Sequence, residues 1–249
     1  MDSEASLTRR QVIGFDRVIH LEWLDATAAA VASGMAEAEV RQRLARVLDG
    51  VVASGRDRGA LPKTVTVLTR IWVRVPEPDL PLLNGALEQI SEESAERRIA
   101  LHWALTMAAY PFFTDVAAAI GRMVKLHGAV SLVQLRRKLA ESWGERSTIP
   151  PAMRRVVRSM EQWGVLRETS SRYSFCPSPR RLAVSHEVAA LLVEGLLIGL
   201  GRPGLAADGL ADHPALFPFS MEFTVHGLAK HARFQLTRQG SRTDVVALR

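Results

Sequence analysis

The chain of 249 residues contains one cysteine, Cys176, so no internal disulfide can form and a reducing cytoplasm is the simple expectation. A lone thiol of this kind reads as packed or incidental rather than as a nucleophile. Aromatic residues are scarce at 6%, while alanine, leucine, valine and arginine dominate, a composition that implies high helix content. No apolar run is long enough to span a membrane. The longest, residues 188–200, is interrupted by Glu194 and Gly195 and falls short of the roughly 20 residues a span requires. Near the start, the apolar residues after Arg9-Arg10 are too few for a secretory leader and are closed by Asp16 and Arg17.

Catalytic patterns are also missing. There is no glycine-rich phosphate loop followed by lysine, no Gly-x-Ser-x-Gly elbow, no His-Glu-x-x-His and no paired cysteines for zinc. The seven histidines are scattered, and His226 and His231 are spaced for neither a helical nor a strand ligand pair. Glu187 and Glu194 fall on one helix face without a second chemical group beside them. Together these absences argue against an enzyme, a metal site, a cofactor, a small-molecule substrate and a membrane partner.

What is present is 47% apolar residues, enough for a sizeable core, and an uneven charge. Residues 1–113 hold 13 Lys/Arg against 15 Asp/Glu, residues 114–175 hold 11 against 5, and residues 176–249 hold 8 against 6. The middle segment thus carries an excess of +6, as large as that of the whole chain. These limits also define the predicted units: an N-terminal helical bundle at 1–113, a winged helix-turn-helix at 114–175, and a C-terminal helix with a small β-sheet at 176–249.

In the first unit, Phe15, Ile19, Trp23, Thr27, Ala30 and Val31 recur at helical spacing and predict a helix over 15–33. Further helices are predicted over 36–48, 63–75, 80–90 and from Ser91 or Ser94 through Ala109. A polar, glycine-rich loop is predicted over 49–62. Tyr110-Pro111-Phe112-Phe113 then joins the bundle to the middle unit, with its aromatics expected to pack in the seam.

The middle unit predicts three helices closed by a ribbon. Gly128 ends the first; Ser131 caps the second, whose Leu132, Leu135 and Leu139 share a face; Gly144 ends it. Ser147 or Thr148 is expected to cap the third helix, with Pro150 and Pro151 in its first turn. Met153, Val156, Val157, Met160 and Trp163 form its apolar stripe, and Arg154, Arg155 and Arg158 face the other way. Val165-Leu166 and Tyr173-Ser174-Phe175 are predicted to pair around a Thr169-Ser170-Ser171 turn, with Arg167 and Arg172 near its tip.

In the last unit a helix capped by Ser185 is expected to run to about Leu200, followed by a loop over 201–214, a strand over 219–225 and an antiparallel hairpin around Gln239-Gly240-Ser241-Arg242. Arg233, Arg238 and Arg242 are candidates for phosphate or partner contacts, or for a solvated strand face.

A basic helix-turn-helix suits a polyanion, because neutralising phosphates releases condensed counterions. The expected partner is double-stranded DNA: Arg154, Arg155 and Arg158 would enter the major groove, Arg136, Arg137, Lys138, Arg146, Ser147 and Thr148 would hold phosphates, and Arg167 and Arg172 would reach from the wing. The alternative is an adaptor docking partner proteins. The joint Y-P-F-F-T-D-V at 110–116, following an all-helical part, resembles the Tyr-Pro-Phe-x-x-Asp joint of the BrxA family of bacteriophage-exclusion (BREX) systems. That resemblance covers roughly residues 20–165. It implies a cytoplasmic NusB-like helical protein with helix-turn-helix elements, DNA binding, and a place among the other proteins of a phage-defence locus; the NusB likeness also suggests an RNA-binding factor as a further alternative.

Overall fold

The computed structural model describes residues 13–52, 59–239 and 243–249. The molecule is mainly helical, with small sheets. A lead-in without regular secondary structure at 13–20 precedes α1 (Leu21–Ala32), α2 (Glu37–Leu48), α3 (Ala60–Trp72), a 3-10 turn (Glu77–Asp79), α4 (Leu80–Ile90) and α5 (Arg98–Ala109). The first helix therefore starts six residues later than its apolar spacing predicts. The cause is tertiary. The Ile19 amide donates to Ser159 Oγ at 2.8 Å and the Ile19 carbonyl accepts from Trp163 Nε1 at 2.9 Å, so distant side chains satisfy this backbone in place of a helical turn. Phe15 and Ile19 are still fully buried, from non-helical chain. Of the predicted 49–62 loop, residues 53–58 lie outside the described residues.

The bundle interior holds one polar chain. Trp72 Nε1 donates to His102 Nδ1 at 3.1 Å, which fixes the neutral imidazole with its proton on Nε2, facing Asp25 Oδ1 at 3.1 Å. Arg98 Nε completes the chain on the same carboxylate at 2.7 Å. Burial would raise the Asp25 pKa, but the hydrogen bonds from His102 and Arg98 outweigh it and hold the carboxyl at about 2. Burial lowers the pKa of His102.

Tyr110 separates α5 from α6 (Pro111–His127), and the chain turns by 119° between the two helices. Pro111 occupies the first position of α6, where no backbone donor is missed. Tyr110, Phe112 and Phe113 are buried in the seam as expected, Phe113 against Trp103 at 4.9 Å and Phe112 edge-on to Trp143 at 5.0 Å. Gly128, at φ 74°, ends α6. There follow β1 (Val130–Ser131), α7 (Leu132–Trp143), α8 (Ile149–Gln162), β2 (Leu166–Glu168) and β3 (Ser174–Pro177). The strands form one antiparallel sheet in the order β1-β3-β2, with Val130 opposite Phe175 and Glu168 opposite Phe175 from the other side. The two-residue β1 was not foreseen.

The C-terminal third threads back into the bundle. After β4 (Leu182–Val184), α9 (His186–Leu200) packs along α5 and also touches α4 and α6. Each fully buried leucine of α9, such as Leu192 or Leu196, contributes roughly 1.5–3 kcal/mol by leaving water. Gly195 makes the close approach possible, because a Cβ there would sit 2.3 Å from the Ala104 carbonyl oxygen. Then come β5 (Gly204–Ala206), a 3-10 turn (Pro214–Leu216), β6 (Phe219–Met221), α10 (Val225–Lys230), β7 (Phe234–Gln239) and β8 (Thr243–Leu248). The hairpin β7–β8 is antiparallel as predicted and gains β5 as a third strand beside β8.

The strand predicted over 219–225 stops at Met221 and pairs in parallel with β4; Thr224 Oγ1 accepts the Gly227 amide and starts α10 instead. Glu194, 1% exposed, receives Arg233 Nε at 3.0 Å and a second guanidinium nitrogen at 2.5 Å, which binds the sheet to α9. Arg233 is thus a structural partner and not an outward cation. Arg242 lies outside the described residues. One continuous core draws on all three predicted units.

Candidate nucleic-acid interface

The local chemistry of residues 128–177 decides which side chains face out. Ser131 Oγ accepts the Gln134 amide at 3.2 Å, while Gln134 Oε1 accepts the Ser131 amide at 3.1 Å, a reciprocal box that starts α7. Leu135, Leu139 and Trp143 then turn inward, and Trp143 Nε1 donates to Asp115 Oδ2 at 3.0 Å, tying α7 to α6. On α8 the inner stripe is Ile149, Ala152, Met153, Val156, Val157 and Met160, with Ser159 and the adjacent Trp163 bonded to Ile19. That stripe leaves Arg154 exposed and Arg155 half-buried on the opposite side.

The expected cap on α8 is not made: neither Ser147 nor Thr148 bonds the first turn through its side chain. An N-cap hydroxyl accepts from the amides two or three residues on. After Thr148 those positions are Pro150 and Pro151, which have no N–H. Both hydroxyl residues are exposed and keep their hydrogen-bonding capacity for something outside the fold.

The predicted cations fall into two classes. The side chains of Arg136, Arg137, Arg146, Arg154, Arg155 and Arg167 have no hydrogen bond or ion pair among the described residues; all are exposed except the half-buried Arg155. The others are engaged. Lys138 pairs with Glu141 at 2.5 Å one turn along α7. Arg172 lies over the Tyr173 ring at 4.9 Å.

Arg158 is the clearest departure from the expectation of an outward base-reading residue. It bonds Glu161 at 2.6 Å and Glu168 at 3.3 Å and covers the Phe175 ring at 5.3 Å, so it ties α8 to the β2–β3 hairpin. Its pKa is raised, first by the bond to Glu161. Glu168 in turn accepts the Tyr173 amide at 2.8 Å, the largest cause of its lowered pKa, with Arg158 adding to it.

Tyr173 was not predicted to do more than pair in a strand. It is the one non-glycine residue with positive φ among the described residues, at 61°. A left-handed backbone at such a residue costs about 1 kcal/mol or more. The Glu168 carboxylate holds its amide and the Leu132 amide donates to its carbonyl at 3.1 Å. With Leu132, Val133, Pro150, Met153, Arg136 and Arg154 its side chain lines a groove of about 360 Å³ between α7, α8 and the hairpin. The sequence signal was a large aromatic placed directly after the polar T-S-S-R turn, where a small residue suits the backbone better.

Two other clefts, of about 470 and 460 Å³, are both lined in part by the 177–181 connector. Among the described residues no group of three or more His, Cys, Asp or Glu side chains is gathered as metal ligands, and no single helix is long and apolar enough to cross a membrane. No family model, curated protein or solved structure matches this chain.

Proposed function

We propose that the chain binds double-stranded DNA, with residues 111–177 acting as a winged helix-turn-helix: α8 lies in the major groove and the β2–β3 hairpin is the wing. The observation that carries this reading is a set of arginines without a partner among the described residues: Arg154 and Arg155 on α8, Arg136 and Arg137 on α7, Arg146 before α8 and Arg167 on β2, with Arg136 and Arg154 lining one groove. Guanidinium groups with no internal carboxylate are poised to release counterions from a phosphate backbone. Ser147 and Thr148, uncapped at the start of α8, add neutral donors suited to phosphate oxygens.

In this reading Arg158 takes a different role: its bonds to Glu161 and Glu168 hold the wing against α8. The resemblance of the Tyr110–Asp115 joint to the BrxA family extends the proposal to a place in a phage-defence locus. Genes for a methyltransferase, an alkaline-phosphatase-like protein and a large ATPase are expected beside this one, and a locus without them contradicts that extension.

Fluorescence anisotropy with a labelled duplex tests the binding. Affinity is expected to fall about 10³-fold or more between 50 and 200 mM salt if at least six phosphates are contacted. Unlabelled duplex DNA should compete better than duplex RNA, whose deep, narrow major groove excludes a helix. Stronger competition by RNA would favour an RNA-binding factor. No binding at low salt would overturn the reading in favour of an adaptor.

A further inference from the structure

The duplex reading uses the cations of α7 and α8 and leaves unexplained the apolar surface among them. Val133 is 64% exposed and Tyr173 48%, and both face the groove whose floor includes buried Met153. The apolar groups a continuous duplex offers in its major groove are thymine methyls, each far too small to fill a groove of about 360 Å³. The Tyr173 ring is nevertheless placed at this slot by a backbone conformation that non-glycine residues avoid, held from both sides by Glu168 and Leu132. Conformations of this kind persist where the surroundings over-determine them, and they gather at ligand-binding positions.

The charge and size of the slot select its occupant. Its charged lining residues are Arg136 and Arg154, both without a partner among the described residues, and no carboxylate lines it. A bound peptide brings backbone amides and carbonyls that need matching partners, and a helix brings a row of anchors spaced over several turns. The groove offers neither a row of acceptors nor that length. A nucleobase asks for less: a planar surface to stack on, and cations for the phosphates on either side of it.

We propose that the groove between α7, α8 and the wing takes an unstacked nucleobase against Tyr173, with Arg136 and Arg154 on its flanking phosphates. The protein then prefers a duplex carrying a single-stranded end or an unpaired base to a continuous duplex. Arg172, lying over the tyrosine ring, stiffens the platform. This inference rests on the reading that the α8 face binds DNA.

The test compares one blunt duplex with the same duplex carrying a short single-stranded overhang, by anisotropy at a fixed salt concentration. The overhang substrate is expected to bind about tenfold tighter, and a 2-aminopurine at the first overhang position should change its emission on binding. Y173G removes the ring and suits the positive φ, so it is expected to keep the melting temperature while losing both the preference and the emission change. Y173F should keep both. Equal affinity for the two substrates, or a preference that survives Y173G, overturns this inference and leaves duplex binding intact. Absence of binding to either DNA overturns both. If an acidic, leucine-containing peptide and not the overhang DNA perturbs the Val133, Arg154 and Tyr173 amide resonances, the groove is a protein-docking site and the base proposal fails.

Discussion

Two helices of similar length, α8 and α9, use charge in opposite ways. α9 is buried nearly all round; its one interior charge, Glu194, is matched by Arg233, and glycine at 195 lets it lie directly on the α5 backbone. α8 is buried on one side only, and on the other it spends Arg158 on local carboxylates while leaving Arg154 and Arg155 unmatched. The difference separates cations matched by carboxylates inside the fold from cations left available on its surface. An interior charge without a partner is too costly to keep, whereas an unpaired surface arginine costs little and remains available to a ligand.

Substitutions can break each side of this contrast, and the largest effect is expected inside. Gly195→Ala drives a methyl group into the Ala104 carbonyl and should cost about 3 kcal/mol or more, seen as loss of a cooperative thermal transition or a large drop in its midpoint. Arg233→Ala strands the Glu194 carboxylate at 1% exposure and should cost about 3 kcal/mol in chemical denaturation.

Acid comes next. His102 has a lowered pKa in the fold, so below the ordinary value of 6.5 the unfolded chain takes up a proton that the folded chain resists. His213, lowered to about 4 by burial and then by Arg122 and Arg202, acts in the same direction. Stability from both is complete above pH 6.5 and should decline as the pH falls toward 4, with His213 alone accounting for of the order of 1–3 kcal/mol once the solvent around it is allowed for. Asp25 adds a second loss as the pH drops from 3.8 toward 2. Melting curves over this range check it, and a midpoint that stays level from pH 7 to 4 would contradict the buried-histidine account. The smallest effect is expected from Arg158→Ala, about 0.5–1 kcal/mol in stability for a partly exposed pair, with weaker DNA affinity arising from a loosened wing.

Local rules made much of α8 legible in the sequence. Proline in the first turn, an apolar stripe and a closing glycine marked the helix, and the stripe correctly named the inward side. The same prolines hid the missing cap, because a cap needs amides that proline lacks. Long-range chemistry was not legible. Nothing near Ile19 says that Ser159 and Trp163 will claim its backbone, and nothing near Arg158 says that Glu168, ten residues on, folds back against it. Cation position along a helix can be read from spacing, whereas cation availability depends on where distant carboxylates arrive. The insertion of α9 beside α5 was missed for a related reason: the apolar run was visible, but its partner surface lies some 90 residues earlier in the chain.

The central claim is that Arg154 and Arg155 are unpaired because DNA is their partner. The salt dependence of duplex affinity, measured for the native chain and for the Arg154→Ala, Arg155→Ala double variant, tests it most directly. If each arginine neutralises one phosphate, the slope of log affinity against log salt should become shallower by about 1.8, with the fold unchanged by circular dichroism. An identical slope for the two proteins would show that α8 does not meet the phosphate backbone and would contradict the account.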